Sequence, residues 1–304
     1  MQVEREAKPL FQNLPLPLIK GKGIKGIGLT NHPYKLLVVD IDGTLIGKNG
    51  TISAEDRDAL ARACALGIQV SLSTGRVPQA SLRIINQLSL DGCHIFFDGA
   101  LVTNPKNGEE VYVQPISKVV LKQAVEFAHL HEINIEFYST THYFAERETW
   151  ATDIRRQFFG IEPTIVDFNN LWEQERIIKG TMTISSPEER AKADRFCHQF
   201  KGTLDRLSFS WTATPAYPDV DFINVVAPGV SKGKALEALA RHLGIPMNEI
   251  MAIGDGANDI SLLSSVGLAI AMDNAPYEVK AVADYITLDV DDIGPAAAIE
   301  KFLL

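Results

Sequence analysis

Asp40 and Asp42 stand two residues apart in Asp40-Ile41-Asp42-Gly43-Thr44, directly after the apolar run Leu36-Leu37-Val38-Val39. Two carboxylates at the end of a buried strand carry a desolvation cost that a cation or a reaction must offset. Three further segments could make them useful: Ser73-Thr74-Gly75-Arg76, Ser231-Lys232-Gly233-Lys234 and Gly254-Asp255-Gly256-Ala257-Asn258-Asp259. The set suits phosphoryl transfer with Mg2+. Asp40 and Asp255 are the natural ligands, because Mg2+ takes hard oxygens in an octahedron and keeps several waters. Asp40 can also attack phosphorus to give an aspartyl-phosphate. Asp42 is near enough to protonate a leaving alkoxide and then to deprotonate the attacking water. Thr74 and the Gly75 amide can donate to phosphate oxygens, and Lys232 can offset charge on the phosphoryl group and on Asp40. Asn258, just before a helix, can donate where the helix dipole favours an anion.

Each motif alone is weak. Asp-Gly is a turn dipeptide, and Thr74 alone could simply cap a helix. Lys232 alone reads as a solvated lysine at a helix start. Gly254–Asp259 alone reads as a turn, without the long ligand loop of a calcium site. Their order gives them weight. Asp40, Thr74 and Asp255 each follow a strand-like run, and in a doubly wound sheet the carboxyl ends of the strands share one crevice.

The elements that must position them are legible. Lys35–Ile41, Ile68–Ser73 and His94–Phe97 are short, continuous apolar runs, as expected for strands covered on both faces. Between the first two, Ser53 caps a helix with Asp56 three residues on, and Gly67 stops it. Lys48-Asn49-Gly50-Thr51 reads as a tight hairpin, a small flap beside Asp40 and Asp42. From about 104 to 218 the strands alternate apolar and polar residues (Ile133–Tyr138, Tyr143–Glu146, Thr181–Ser185), which predicts a half-exposed, mostly antiparallel sheet with helices such as Lys118–His131 on one face. Ser231 then caps a helix that Gly244 ends. Ile250–Ile253, Gly267–Met272 and Asp284–Thr287 read as strands and Ile260–Ser265 as a helix. The expected fold is α/β: a Rossmann-like doubly wound parallel sheet from 34–103 and 219–304, with a large α/β domain inserted at 104–218. Residues 1–33, broken by four prolines, read as a flexible extension; a transit peptide is the weaker reading, since Glu4 and Glu6 are present and serine is absent.

A formal net charge of -9 argues against a general nucleic-acid role through a basic surface. No apolar run reaches membrane-spanning length, and no secretory signal pattern opens the chain. Cys64, Cys93 and Cys197 form neither a disulfide framework nor zinc spacing, and read as buried thiols in a reducing, cytoplasmic setting.

Over residues 34–304 these motifs resemble the haloacid dehalogenase-like superfamily, specifically its Cof-type sugar-phosphatase branch. The tail Ala271-Met272-Asp273-Asn274-Ala275 with Glu278-Val279-Lys280 adds to the resemblance. The resemblance implies Asp40 as nucleophile, Asp42 as general acid and base, and Lys232 as the catalytic lysine. It implies phosphate contacts from Ile41, Thr74, Gly75, Lys232 and Asn258. It implies a Mg2+ shell of Asp40, Asp255 and Asp259, with Asp42 reaching the metal only through its backbone carbonyl. The presence of Asp42 argues against dehalogenase or phosphonatase chemistry. Only about thirty residues separate Thr44 from Thr74 and well over a hundred separate Thr74 from Lys232, so the resemblance implies the large α/β cap after the third strand. Tyr138, His142, Tyr143 and Arg147 are candidate substrate contacts in that cap, although each reads more readily as structural or solvent-facing. The chain departs from the family at Asp98, usually asparagine, and at Asp273, commonly glycine. The expected partner is a small phosphorylated metabolite, a sugar phosphate first and a cofactor phosphate such as FMN or pyridoxal phosphate next, taken by a monomer or homodimer. A sucrose-phosphate phosphatase, a phosphomutase and a catalytically silent phosphometabolite-binding regulator are the alternatives.

Overall fold

The computed structural model describes residues 33–202, 206–214 and 217–304. The extension expected at 1–33 lies outside the described residues, Pro33 excepted. Strands β1 (Leu36–Asp40), β2 (Gln69–Ser73) and β3 (His94–Phe96) alternate with helices α1 (Ala54–Ala65) and α2 (Pro78–Gln87), and β4 (Leu101–Asn104) and β5 (Glu109–Val113) follow. Helix α3 (Lys118–Leu130), β6 (Glu136–Tyr138), β7 (Tyr143–Ala145), α4 (Trp150–Ile154), β8 (Thr164–Ile165), α5 (Leu171–Gln174), β9 (Lys179–Ile184), α6 (Pro187–Phe200), β10 (Ser208–Thr214) and β11 (Tyr217–Val226) come next. The chain closes with α7 (Lys232–Leu243), β12 (Ile250–Gly254), α8 (Ile260–Leu263), β13 (Leu268–Ala271), α9 (Tyr277–Lys280), β14 (Tyr285–Ile286) and α10 (Gly294–Phe302).

One sheet runs β14-β13-β12-β1-β2-β3-β4-β5 and is parallel from β14 through β3. β1 is wholly buried, as its unbroken Leu-Leu-Val-Val run requires. From β1 the chain winds to β2 on one side, and β12 flanks it on the other. That reversal opens a crevice at the carboxyl ends, where Asp40 lies. Capping at Ser53 takes the expected form, with the Asp56 amide donating to its hydroxyl at 2.9 Å. The buried Asp56 carboxylate also accepts from the Ala296 amide at 2.8 Å, so it ties α1 to α10.

The second sheet runs β10-β11-β9-β6-β7-β8, antiparallel except for β7 with β8. Met182, Ile184, Phe137 and Phe144 turn one of its faces to α3, α5 and α6. Three expectations change. β5 pairs with β4 in the first sheet, and β11 carries the second sheet to Val226, so the boundaries expected at 104 and 218 move to about 114 and 226. The expected hairpin at 48–51 is a turn, closed by Gly50 N–H to the Gly47 carbonyl at 3.1 Å, with only a single bridge between Asp42 and Ile46. The expected half-exposed sheet is buried on both faces at β6, β7 and β9. The polar alternation of β9 marks the face that meets the first layer: Tyr138 and Tyr143 join that layer's core, and the Tyr138 ring lies 6.4 Å from Phe97.

Candidate functional site

Asp40 ends β1 with its side chain 8% exposed, and Lys232, 1% exposed, opens α7. Lys232 Nζ donates to Asp40 Oδ1 at 2.5 Å and to Asp259 Oδ1 at 2.6 Å. Ser231 caps this helix, so Lys232 occupies its first turn. Gly99 lets the 97–99 turn press against that cap, since a Cβ there would lie 2.3 Å from the Ser231 carbonyl oxygen. Phe97, Asp98 and Gly99 all have positive φ, a strained path that holds Asp98 over the crevice. Asparagine and aspartate tolerate this region best among side-chain-bearing residues, which accounts physically for Asp98 at this point.

Asp255 follows β12, and its Oδ1 accepts from the Thr44 hydroxyl at 2.8 Å. Gly43, at φ 88°, passes so close that a Cβ would stand 2.2 Å from Asp255 Oδ2. Asp259 takes the Asp255 and Gly256 amides on Oδ2 at 3.1 and 2.9 Å and Lys232 on Oδ1. It therefore shapes the Asp255 loop and neutralises the lysine. Burial, ahead of the charge of Asp259, pushes the Asp255 carboxyl up to about 7. Burial, opposed by Lys232, also drives Asp40 well above the carboxylate range, while Asp259 and Asp40 hold Lys232 protonated against its burial. Asp40, Asp255 and Asp259 each offer an oxygen within 4.8 Å of the others. An all-carboxylate donor set with no nitrogen or sulfur fits Mg2+.

Asp42 lies outside that trio. Its carboxylate is forked by Arg76, Nε to Oδ2 at 2.8 Å and an Nη to Oδ1 at 2.5 Å, and the Arg76 guanidinium sits 5.8 Å from the Phe159 ring centroid. The Ile41 side chain is buried, and its carbonyl accepts the Leu45 and Ile46 amides at 2.9 and 2.8 Å, closing the loop around Asp42. Thr74, also buried, follows β2. Its hydroxyl oxygen accepts the Arg76 amide at 3.1 Å, which leaves the hydroxyl proton to donate. α2 begins only at Pro78 with Val77 before it, so Thr74 does not cap it. The Asn258 Nδ2 donates to Asp98 Oδ1 at 2.8 Å, and the helix behind it is the four-residue α8, too short to carry an appreciable dipole.

Two groups were not legible beforehand. Lys179, from β9 in the second sheet, reaches across to donate to the Gly75 carbonyl at 2.9 Å and lies 4.0 Å from Asp98. Burial, with Arg155 adding, pushes it down to about 8, against the pull of Asp98. Beside it Arg155 donates to Glu136 at 3.1 Å and to Thr183 at 3.1 Å, and Tyr143 donates to Glu136 at 2.6 Å. The only signal was the Lys179/Thr181/Thr183 spacing, which matches a solvated strand face equally well. Of the four residues singled out in this region, Tyr138 and Tyr143 are buried and stacked at 5.0 Å on this inner face. His142 and Arg147 are exposed, and Arg147 lines a separate groove with Glu132, Asn134 and Lys192. Asp273 pairs with Lys280 at 3.1 Å. No helix among the described residues is long and apolar enough to cross a membrane.

The sequence model of the haloacid dehalogenase-like hydrolases matches residues 37–299. An Arabidopsis thaliana protein named chloroplastic endoribonuclease YBEY is 28% identical over 296 residues; the match covers 91% of this chain but 48% of that protein, so the chain spans about half of that relative's length. The phosphatase YwpJ of Bacillus subtilis is 28% identical over 288 residues, covering 88% of this chain and all of that one. The solved structure of the subclass IIB sugar phosphatase BT4131 superposes with a TM-score of 0.71 at 26% identity, covering 88% of this chain and 98% of its own.

Proposed function

The chain belongs to the haloacid dehalogenase-like hydrolase family, and from that premise we propose that it is a Mg2+-dependent phosphatase that hydrolyses small phosphate monoesters, sugar phosphates foremost, through an aspartyl-phosphate. The observation that carries this reading is the buried Asp40–Lys232–Asp259 chain beside Asp255. Lys232 holds the Asp40 carboxyl in a fixed orientation, and a cation bound beside it favours the ionised form that a nucleophile needs.

Asp40 Oδ attacks phosphorus, the new O–P bond forms, and the ester O–P bond breaks. Asp42 gives its proton to the leaving alkoxide. Water then attacks the phosphoryl group, Asp42 takes the water proton, and the Asp40–P bond breaks to release inorganic phosphate. Thr74 and Lys232 hold the phosphoryl oxygens. Mg2+, when bound by Asp40 and Asp255 with Asp259 behind them, supplies neutralisation of the charge shared between nucleophile and phosphate. Arg76 occupies both Asp42 oxygens, so one arm of that fork opens for each proton exchange.

Residues 114–226 act as the cap over the leaving group, with Lys179 and the Glu136–Arg155 pair as its polar floor. Replacing Lys179 by methionine removes the contact to Gly75 and is expected to lower kcat/KM about tenfold, the scale of one lost charge-assisted hydrogen bond. The variant stays folded at pH 7, because a buried ammonium is costly there. The folded pKa of Lys179 lies below its unfolded value. In the parent, therefore, that cost persists below pH 8 and shrinks as pH rises toward 10.5. Denaturation of parent and variant at pH 7 and 10 measures the difference; a variant much less stable at pH 7 would contradict this.

Protons compete with a divalent ion for the Asp255 oxygens. The folded pKa of about 7 exceeds the ordinary 3.8, so the metal-free fold loses stability as pH rises toward 7. The apparent Mg2+ affinity moves the other way, falling about tenfold per pH unit for each displaced proton below 7. Mg2+ calorimetry at pH 6 and 8 checks this, and equal affinities would remove Asp255 from the ligand set. The function itself is tested by phosphate release from sugar phosphates, nucleotides and cofactor phosphates with and without Mg2+. Transfer to a second sugar hydroxyl in place of labelled water would mark a phosphomutase. Release from none of them would leave the silent-regulator reading.

A further inference from the structure

Away from the carboxylate crevice, three residues from distant parts of the chain converge. Cys93 immediately precedes β3, Glu109 opens β5, and His242 lies in the last turn of α7. Each offers a ligand atom within 4.8 Å of the other two, and His242 Nε2 lies 3.4 Å from Glu109 Oε1. We propose that Cys93, Glu109 and His242 form a second metal site, selective for Zn2+ or a similar borderline divalent ion, which pins the C-terminal end of α7 to the β3–β5 edge of the sheet.

The spacing suits a three-ligand tetrahedral site once the two exposed side chains close onto Cys93. Zn–N and Zn–O bonds of about 2.0–2.2 Å and a Zn–S bond of about 2.3 Å place neighbouring ligand atoms about 3.3–3.7 Å apart. The His242–Glu109 separation already has that length. Cys93 is buried and fixed by its place before β3, whereas Glu109 and His242 are exposed side chains free to close onto it. Thiolate, imidazole and carboxylate together suit Zn2+, with water as fourth ligand, and do not suit Mg2+. The carboxylate trio has the opposite preference, so the two sites sort two ions by hardness. Binding releases the Cys93 thiol proton to solvent. Without an ion, burial and the Glu109 charge both push that thiol up, and a divalent cation between them reverses the second effect.

The location argues for a structural role. α7 carries Lys232 in its first turn and His242 ten residues later, about 15 Å along the axis. A metal at His242 therefore anchors the far end of the helix that delivers Lys232 while leaving the crevice untouched. The proposal does not rest on the phosphatase reading.

Co2+ is the probe, titrated into the full-length, metal-stripped protein with Mg2+ in excess to occupy the carboxylates. The expected result is a near-ultraviolet thiolate-to-Co2+ charge-transfer band that saturates at one equivalent, is bleached by Zn2+, and is accompanied by a rise in Tm. Cys93→Ala should abolish the band. His242→Gln, at an exposed position where folding is not at stake, should weaken Co2+ binding at least tenfold. Both variants should keep phosphate release with Mg2+, which separates failure of this site from failure of the catalytic reading. No band in folded protein, a band retained by Cys93→Ala, or affinity unchanged in His242→Gln would each overturn the proposal.

Discussion

Asp40→Asn is expected to lower phosphate release by roughly 10^4-fold or more, the scale seen when a covalent nucleophile is removed, without unfolding the protein. The amide fills the same space but cannot form an acyl phosphate. Burial and the charges of Asp259 and Asp255 already work against the Asp40 carboxylate, and only Lys232 favours it. Metal-free Asp40→Asn should thus be no less stable than the parent, with Lys232 still neutralised by Asp259 at 2.6 Å. What it loses is the stabilisation that Mg2+ confers on the parent, because one of three carboxylates is gone. Phosphate release and thermal denaturation with and without Mg2+ measure both. A folded Asp40→Asn protein with parental turnover would sink the aspartyl-phosphate mechanism.

Lys232→Met has the opposite signature: activity and stability fall together. The ammonium contacts Asp40 and Asp259 within 2.6 Å, and all three side chains are nearly inaccessible. Methionine matches the stem's volume but leaves two buried carboxylates facing each other without a cation. Breaking a buried pair this way costs roughly 3–5 kcal/mol, a large share of the roughly 5–15 kcal/mol that holds a domain folded. The coupling is measurable. Asp40→Asn added to Lys232→Met should recover part of the loss, because it removes one of the stranded charges. Urea denaturation of the parent, both single variants and the double variant gives the cycle. A Lys232→Met protein as stable as the parent would show that the three groups are not held as one buried unit.

Much of this was legible in the order of residues. Leu36–Val39 reads as a strand buried on both faces because no polar residue interrupts it, and Asp40 at its end could then lie only at a sheet edge. Ser231 and Gly244 bound α7 because a hydroxyl satisfies free amides at one end and a left-handed glycine closes the other. Repeated strand–helix units make the sheet parallel and bring Asp40, Thr74 and Asp255 to one edge. The meeting of Asp40, Thr74 and Asp255 at one edge therefore followed from local pattern plus one rule of topology, whereas Asp259 entered only through the family resemblance. Tertiary structure alone decided what no spacing encodes. Lys179, Thr181 and Thr183 alternate as a solvated face would, and only the packing of the second sheet on Phe97 makes that face the wall of the crevice. Arg76 was visible in its triplet, but its fork onto Asp42 depends on where β2 ends relative to β1. The Asn258 amide meets Asp98, 160 residues away in the chain, only because the fold brings the 97–99 turn beside β12 and its loop. Cys93, Glu109 and His242, 149 residues from first to last, meet only because β5 folds back beside β4 and α7 packs across them. Local pattern follows from burial and backbone geometry within a few residues of chain. Which side chains face one another across a hundred residues is decided by how layers pack, and composition carries no trace of that.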